Sequence, residues 1–256
     1  MVEYLLIGVV AFGASMLTFF SGFGLGTLLL PAFAMFFPIE IAVAMTAIVH
    51  FLNNIFKIGL VGFRFSRRVL LVFGIPSLLG ALLGAFCLQK MGQIAPIFAY
   101  ECFGKTMEIS VLKICIGVLL LFFALFEILP ALKNKTFNEK YLPYGGALSG
   151  FFGGLVGFQG ALRSAFLIRL NLPKIEFIAT GIAIACLVDV SRLSLYSTYF
   201  FNTNLDFSLI GVATLCAFAG AWGGNRFLKK ITVETIQKIV ALLLIVFGVL
   251  SILGIV

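Results

Sequence analysis

GGLVGFQGALRSAFL, residues 153–167, is an apolar stretch broken by glycines, with Gln159 at the break and Arg163 one helical turn beyond it. Glycines at 153, 154, 157 and 160 let the backbone turn and let a ligand approach it closely. A related break, SGFGLGTLLLP at residues 21–31, lies in the first half of the chain. Two broken helices at corresponding places in two halves of a hydrophobic chain point to the binding site of a transporter.

The surrounding composition fits that setting. The 256 residues are 62% hydrophobic and 11% charged, far from the balance of a soluble domain. Ten apolar runs fall at about 4–20, 24–37, 40–62, 69–89, 112–130, 142–156, 159–170, 175–200, 207–228 and 236–256, with loop signals between them. The expected class is an all-α polytopic membrane protein in one integral unit. Without a basic region or a small-residue cleavage signal, the first run reads as a retained helix. The net charge of +8 resides largely in short loops, such as Arg64, Arg67, Arg68 and Arg226, Lys229, Lys230, so topology explains it and no nucleic acid is expected. Five cysteines form no C-x-x-C pair, and with a single histidine no metal site or cofactor is expected.

Five runs resemble the other five. Setting Gly22 on Gly157 gives an offset of 135 that also puts Pro38 on Pro173, Ala44 on Ala179, Asn54 on Asp189 and Lys57 on Arg192. GALLGAFCLQKM from Gly80 overlays GAWGGNRFLKKI from Gly220 at an offset of 140, and Lys113 overlays Lys238 at 125. Offsets change where loops are expected, as in a duplicated unit. The expected organisation is a first repeat at 1–132, a cytoplasmic linker at 133–141 and a second repeat at 142–256.

Basic loops orient the repeats. With Arg64–Arg68 in the cytoplasm, the Pro38–Glu40 turn and the Lys90–Glu108 loop lie outside and Lys133–Lys140 inside. With Arg226–Lys230 inside, Asn202–Asp206 is outside and the Arg169–Lys174 turn inside. The equivalent prolines then sit on opposite sides, which makes the repeats inverted, provided that each break folds back as a hairpin. The runs 24–37 and 159–170 span only about 18 to 21 Å at 1.5 Å per residue, short of a roughly 30 Å hydrocarbon core. Each repeat is thus expected to be a short or re-entrant hairpin followed by three transmembrane helices.

Chemistry is expected at the hairpin tips. Unpaired N–H groups after Gly22 and Gly157 carry partial positive charge, and Gln159 and Arg163 lie on one helical face. The next helix carries His50, Asn53, Asn54 and Lys57 as one stripe, and its counterpart carries Thr180, Asp189, Arg192 and Tyr196. Asp189 is three residues from Arg192 and could pair with it, or could instead orient Arg163 and leave Arg192 available. Lys57, Arg163 and Arg192 against Asp189 leave an intramembrane excess of +2, which favours an anionic substrate. The candidate binding residues are Gly22, Gly24, Asn54, Lys57, Gly157, Gln159, Gly160, Arg163, Asp189 and Arg192, with His50 and Tyr196 as candidates for a proton or gating role.

The stretches GALSGFFGGLVGFQGALRSAFL (146–167) and TAIVHFLNNIFKIG (46–59), with a glycine-rich break before a P-x5-A helix in both halves, resemble the sulfite exporter TauE/SafE family over nearly the whole chain. That resemblance implies transport of sulfur-containing anions such as sulfite, thiosulfate or sulfoacetate across a bacterial cytoplasmic membrane. The chain departs from the commonest family pattern at Gly24-Leu25-Gly26, at Asn53-Asn54-x-x-Lys57, and at Gln159 and Arg163. A secondary carrier in the lipid bilayer is expected, with coupling to protons or Na+ and a homodimer as further expectations. A passive anion channel is the alternative. An intramembrane enzyme finds no Ser-His-Asp order, metal spacing or paired carboxylates to support it.

Overall fold

The computed structural model describes residues 1–19, 25–102, 105–128, 137–202, 205–227 and 233–255. Gly22, Gly24, Lys229, Lys230 and residues 133–136 of the linker lie outside the described residues. Ten helices carry the described fold: α1 (Val2–Leu17), α2 (Gly26–Ala34), α3 (Ile39–Val61), α4 (Arg67–Gly92), α5 (Val111–Ile128), α6 (Leu142–Val156), α7 (Gly160–Leu167), α8 (Lys174–Asn202), α9 (Phe207–Phe227) and α10 (Val233–Ile252). Four stretches, α3, α4, Lys174–Ser197 of α8 and Phe207–Arg226 of α9, are long and apolar enough to cross a bilayer. The α4–α5 loop contains an antiparallel pair, β1 (Phe98–Cys102) and β2 (Lys105–Ile109), where the sequence reading has only a loop.

Polarity is arranged for lipid. Leu71, Ile75, Leu79, Leu83 and Phe86 are exposed along one side of α4, as are Val118, Phe122 and Leu125 on α5 and Leu242, Val246 and Val249 on α10. His50, Asn53, Asn54, Lys57, Gln159, Arg163, Asp189 and Arg192 are all buried. Exposed apolar stripes around a buried polar centre reverse the soluble pattern.

Glycine sets the helix contacts. Gly146, Gly150 and Gly154 of α6 face Phe73, Ser77 and Ala81 of α4 so closely that an added Cβ would lie 2.3, 1.9 and 2.0 Å from their carbonyl oxygens. The constant spacing of 73 residues makes the two helices parallel, and the i, i+4 glycines allow the backbones to touch. Gly146 meets α4 at a π-helical turn, Leu70–Gly74. Gly80 and Gly84 of α4 meet the carbonyls of Ala147 and Phe151 in the same way, and Gly220 and Gly224 of α9 meet those of Phe12 and Met16 on α1. Offsets of 140 and 135 convert the first pair of contacts into the second. Contacts among α1·α9 and α4·α6, α3·α9 and α8·α4, and α2·α10 and α7·α5 likewise exchange when the first five helices are swapped for the last five.

The second break is a hairpin. Gly157 closes α6 with φ +84°, its N–H donating to the carbonyl of Gly153 at 2.9 Å, a left-handed cap that glycine adopts without strain. Along one straight helix Phe166 would lie about 30 Å beyond Gly145. Instead its ring carbons come within 2.6 Å of where a Gly145 Cβ would stand, and Ser149 Oγ donates to the carbonyl of Gln159 at 3.1 Å. Chain direction therefore reverses at Gly157, and α7 returns alongside α6. Asn171 at φ 47° and Pro173 then redirect the chain into α8.

Loops gather at two ends of the bundle. At one, Arg68 Nη2 donates to Glu139 Oε2 (3.2 Å), the Ser66 N–H donates to Thr180 Oγ1 (2.9 Å), and Val69, Phe137, Leu142, Leu167, Leu170 and Phe177 form a cluster. At the other, Gly92 lies against Glu40, and Tyr100 Oη and Lys113 Nζ donate to the carbonyls of Leu253 and Gly254 (2.6 and 3.1 Å). There too Tyr4 Oη donates to the Asp206 carboxylate (2.9 Å). Loops assigned to one side in the sequence are thus found together.

Gly150→Leu should prevent native packing of α6 on α4, whereas Gly13→Ala, which meets nothing within 4 Å, should leave the thermal midpoint in detergent nearly unchanged. Overpacking a close contact costs about 1–3 kcal/mol or more. Equal stability of the two variants would refute the close-packing assignment.

Candidate functional site

A buried polar centre forms where the α6–α7 hairpin, the start of α2 and the long helices α3 and α8 converge. The start of α2 adjoins the α6–α7 break, since a Cβ on Gly26 would lie 3.6 Å from the Gly157 carbonyl oxygen and 3.9 Å from His50 Cδ2. Pro38 and Pro173 precede α3 and α8, where a proline fixes the approach without losing a helical hydrogen bond. The two long helices then pack on each other through their polar middles.

Asp189 is the hub of that packing. Its Oδ1 accepts hydrogen bonds from Arg192 Nε (3.0 Å) and Nη2 (2.7 Å) on the same helix. Its Oδ2 accepts from Asn54 Nδ2 (3.2 Å) and lies 2.7 Å from His50 Nδ1 on α3. Asp189 and Arg192 are fully buried. Of the two arrangements the sequence left open, the i, i+3 pair is formed, and both carboxylate oxygens are engaged by Arg192, His50 and Asn54. Arg192 therefore is not left available, and neither it nor Asp189 reaches the cavity wall. Its Nη1 instead approaches Gly157, where any Cβ would come within 2.9 Å.

Beside this hub lies a cavity of about 40 Å3, lined among others by His50, Asn54, Lys57, Arg163, Ser164 and Gly181. That is enough for water-sized occupants in this conformation. Among the described residues no carboxylate lines it. Lys57 is 5% exposed and its ammonium sits 5.7 Å from the centre of the Phe19 ring, a favourable cation–π contact. Arg163 lies along Gly181, where a Cβ would meet its Nε at 3.3 Å. Removing two cations from water is expensive, so a buried pair of them facing a cavity is costly to keep without an anionic neighbour.

Of the other sequence candidates, Gln159 and Gly160 are buried at the start of α7 but off the cavity wall. The Gln159 side-chain amide makes no hydrogen bond among the described residues. Tyr196 donates to the carbonyl of Gly154, tying α8 to the end of α6 away from the cavity. Asn53 turns from the stripe toward α1, where its Oδ1 accepts from Ser15 Oγ at 3.1 Å. Thr18, Phe19, Ser164 and Gly181 line the cavity without having been singled out in the sequence. Ordinary residues carry no local signal; Gly181 was legible only as the counterpart of Thr46 under the offset of 135.

The two copies differ in exposure. Ser164, Phe177 and Ile178, at the cavity, are partly exposed, while their counterparts Leu29, Ala42 and Val43 are sealed at 0%.

Over residues 7–251 the sequence matches the family model described as Sulfite exporter TauE/SafE. The chain belongs to the TauE/SafE family. No curated protein and no solved structure matched it. TauE/SafE proteins are membrane transporters of sulfur anions, and this member is a multi-pass membrane protein.

Asp189→Asn would leave Arg192 buried without its counter-charge, a change that costs about 3–5 kcal/mol in buried pairs. A lowered thermal midpoint is expected, partly restored by adding Arg192→Gln. A single variant as stable as wild type would contradict the hub.

Proposed function

We propose that the protein is a secondary carrier of small sulfur-containing oxyanions or organosulfonates, such as sulfite, thiosulfate or sulfoacetate. The observation that carries this reading is a cavity lined by the buried Lys57 and Arg163 and, among the described residues, by no carboxylate. Asn54 and Ser164 add neutral donors, which suits reversible binding better than a dense basic cage. His50 and Asn54 connect the ligand's surroundings to Asp189, so a ligand-driven shift of α3 would be felt by α8.

The exchanged helix contacts and the hairpin reversal at Gly157 support two inverted repeats, with boundaries at 1–132 and 142–256 and the linker between them. Arg64, Arg67, Arg68, Lys140, Arg169 and Lys174 share one end of the bundle, which makes it the cytoplasmic end by the positive-inside rule. The cavity lies toward that end, beside Leu167 and Phe177, and its counterpart under the repeat offset is sealed. Rocking one repeat against the other would open the sealed side and close the exposed one. Residence in a bacterial cytoplasmic membrane follows from the family reading.

Arg163→Ala tests the site. In a thermal-shift panel of sulfite, sulfate, thiosulfate, sulfoacetate, carboxylates and Na+, a ligand at 100 times its Kd raises stability by about 2.7 kcal/mol. A sulfur anion is expected to stabilise wild type and to lose that effect in the variant while the unliganded protein stays folded. Stabilisation by Na+ alone would overturn the anion reading, and an undiminished anion effect in Arg163→Ala would overturn the site.

A further inference from the structure

We infer that Lys57 selects for the second negative charge of the substrate, so that the site prefers doubly charged oxyanions over singly charged sulfonates of the same shape. This rests on the anion-carrier reading and adds to it a charge class and the residue that imposes it. Lys57 is 95% withdrawn from solvent, lines the cavity, and forms no hydrogen bond or ion pair among the described residues, its recorded partner being the Phe19 ring. Asp189, the carboxylate of the buried polar centre, is engaged by Arg192, His50 and Asn54. A buried ammonium against a π face keeps an unfilled demand for an anionic acceptor, because the ring supplies only part of what water gave.

Arg163 and Lys57 approach the cavity from different helices, α7 and α3. A planar guanidinium holds two oxygens of one oxyanion face, whereas an ammonium acts as a point charge. An anion with one delocalised charge satisfies the first, and a second charge is needed to match the second. Under the repeat offset Lys57 corresponds to Arg192, whose charge is matched by Asp189; the counterpart of Asp189 is Asn54, a neutral residue. The first repeat therefore carries the cation of this pair without its carboxylate, which leaves the matching negative charge to the ligand.

Sulfate and methanesulfonate are a suitable pair of probes, since both are tetrahedral and a methyl group in the second replaces one oxygen and one charge. Binding is measured on the purified full-length protein by competition with radiolabelled sulfate at pH 6, where both probes keep their full charge, for wild type, Lys57→Gln, Lys57→Met and Lys57→Arg. Wild type is expected to prefer sulfate by at least about tenfold. Both neutral variants should lose that preference through weaker sulfate binding, with methanesulfonate affinity held within about threefold, and Lys57→Arg should keep it. Equal weakening of both anions, or an unchanged preference in the neutral variants, overturns the selectivity assignment while leaving the carrier reading in place. Failure of wild type to bind any anion overturns both.

Discussion

A single buried carboxylate holds the centre of this protein together. Asp189 occupies the place equivalent to Asn54, and the two side chains hydrogen-bond to each other across the junction of the two halves. Under the offset of 135 these positions correspond, and a contact between them is what the two-repeat reading expects at a pseudo-symmetry axis. Position 54 is a neutral amide and position 189 an acid. That difference lets the acid take up Arg192 from its own helix and His50 from α3, where two acids would repel and two amides would leave the arginine unmatched. The helices α3 and α8 are thereby locked in register.

The glycine contacts work at the next scale. Close approach binds α6 to α4 and α1 to α9. The α6–α7 hairpin is therefore gripped along α6 by α4. In lipid, where apolar side chains gain nothing by leaving their surroundings, such backbone proximity is what gives helix pairs their specificity. The break and the hub also meet: Gly157 reverses the chain, and the space under its turn is filled by the Arg192 guanidinium.

Much of this was legible in the sequence because it has a period. Ten apolar runs became ten helices, the shortness of 159–170 signalled the reversal at Gly157, and the stripe of His50, Asn54 and Lys57 does face the cavity. What was not legible lacks a local signature. The choice of Asp189 between Arg192 and Arg163 depends on where α7 lies relative to α8. Asn53 sits one residue from Asn54, about 100° around the helix, and so belongs to the α1 contact with Ser15. The β1–β2 pair is short and polar at several positions, and its docking against the end of α10 through Tyr100 is a tertiary event. Tyr196 is polar, aromatic and on the right helix, yet its hydroxyl serves the carbonyl of Gly154.

The central claim is that the cavity between Lys57 and Arg163 belongs to a carrier with alternating access. Counterflow in proteoliposomes of purified protein tests it most directly, by following labelled sulfite entry into vesicles with and without unlabelled sulfite inside. The account predicts saturable entry that is accelerated several-fold by sulfite on the opposite side, because the loaded carrier returns by exchange. Entry that rises linearly with concentration, carries current and ignores the opposite side would contradict it and favour a channel.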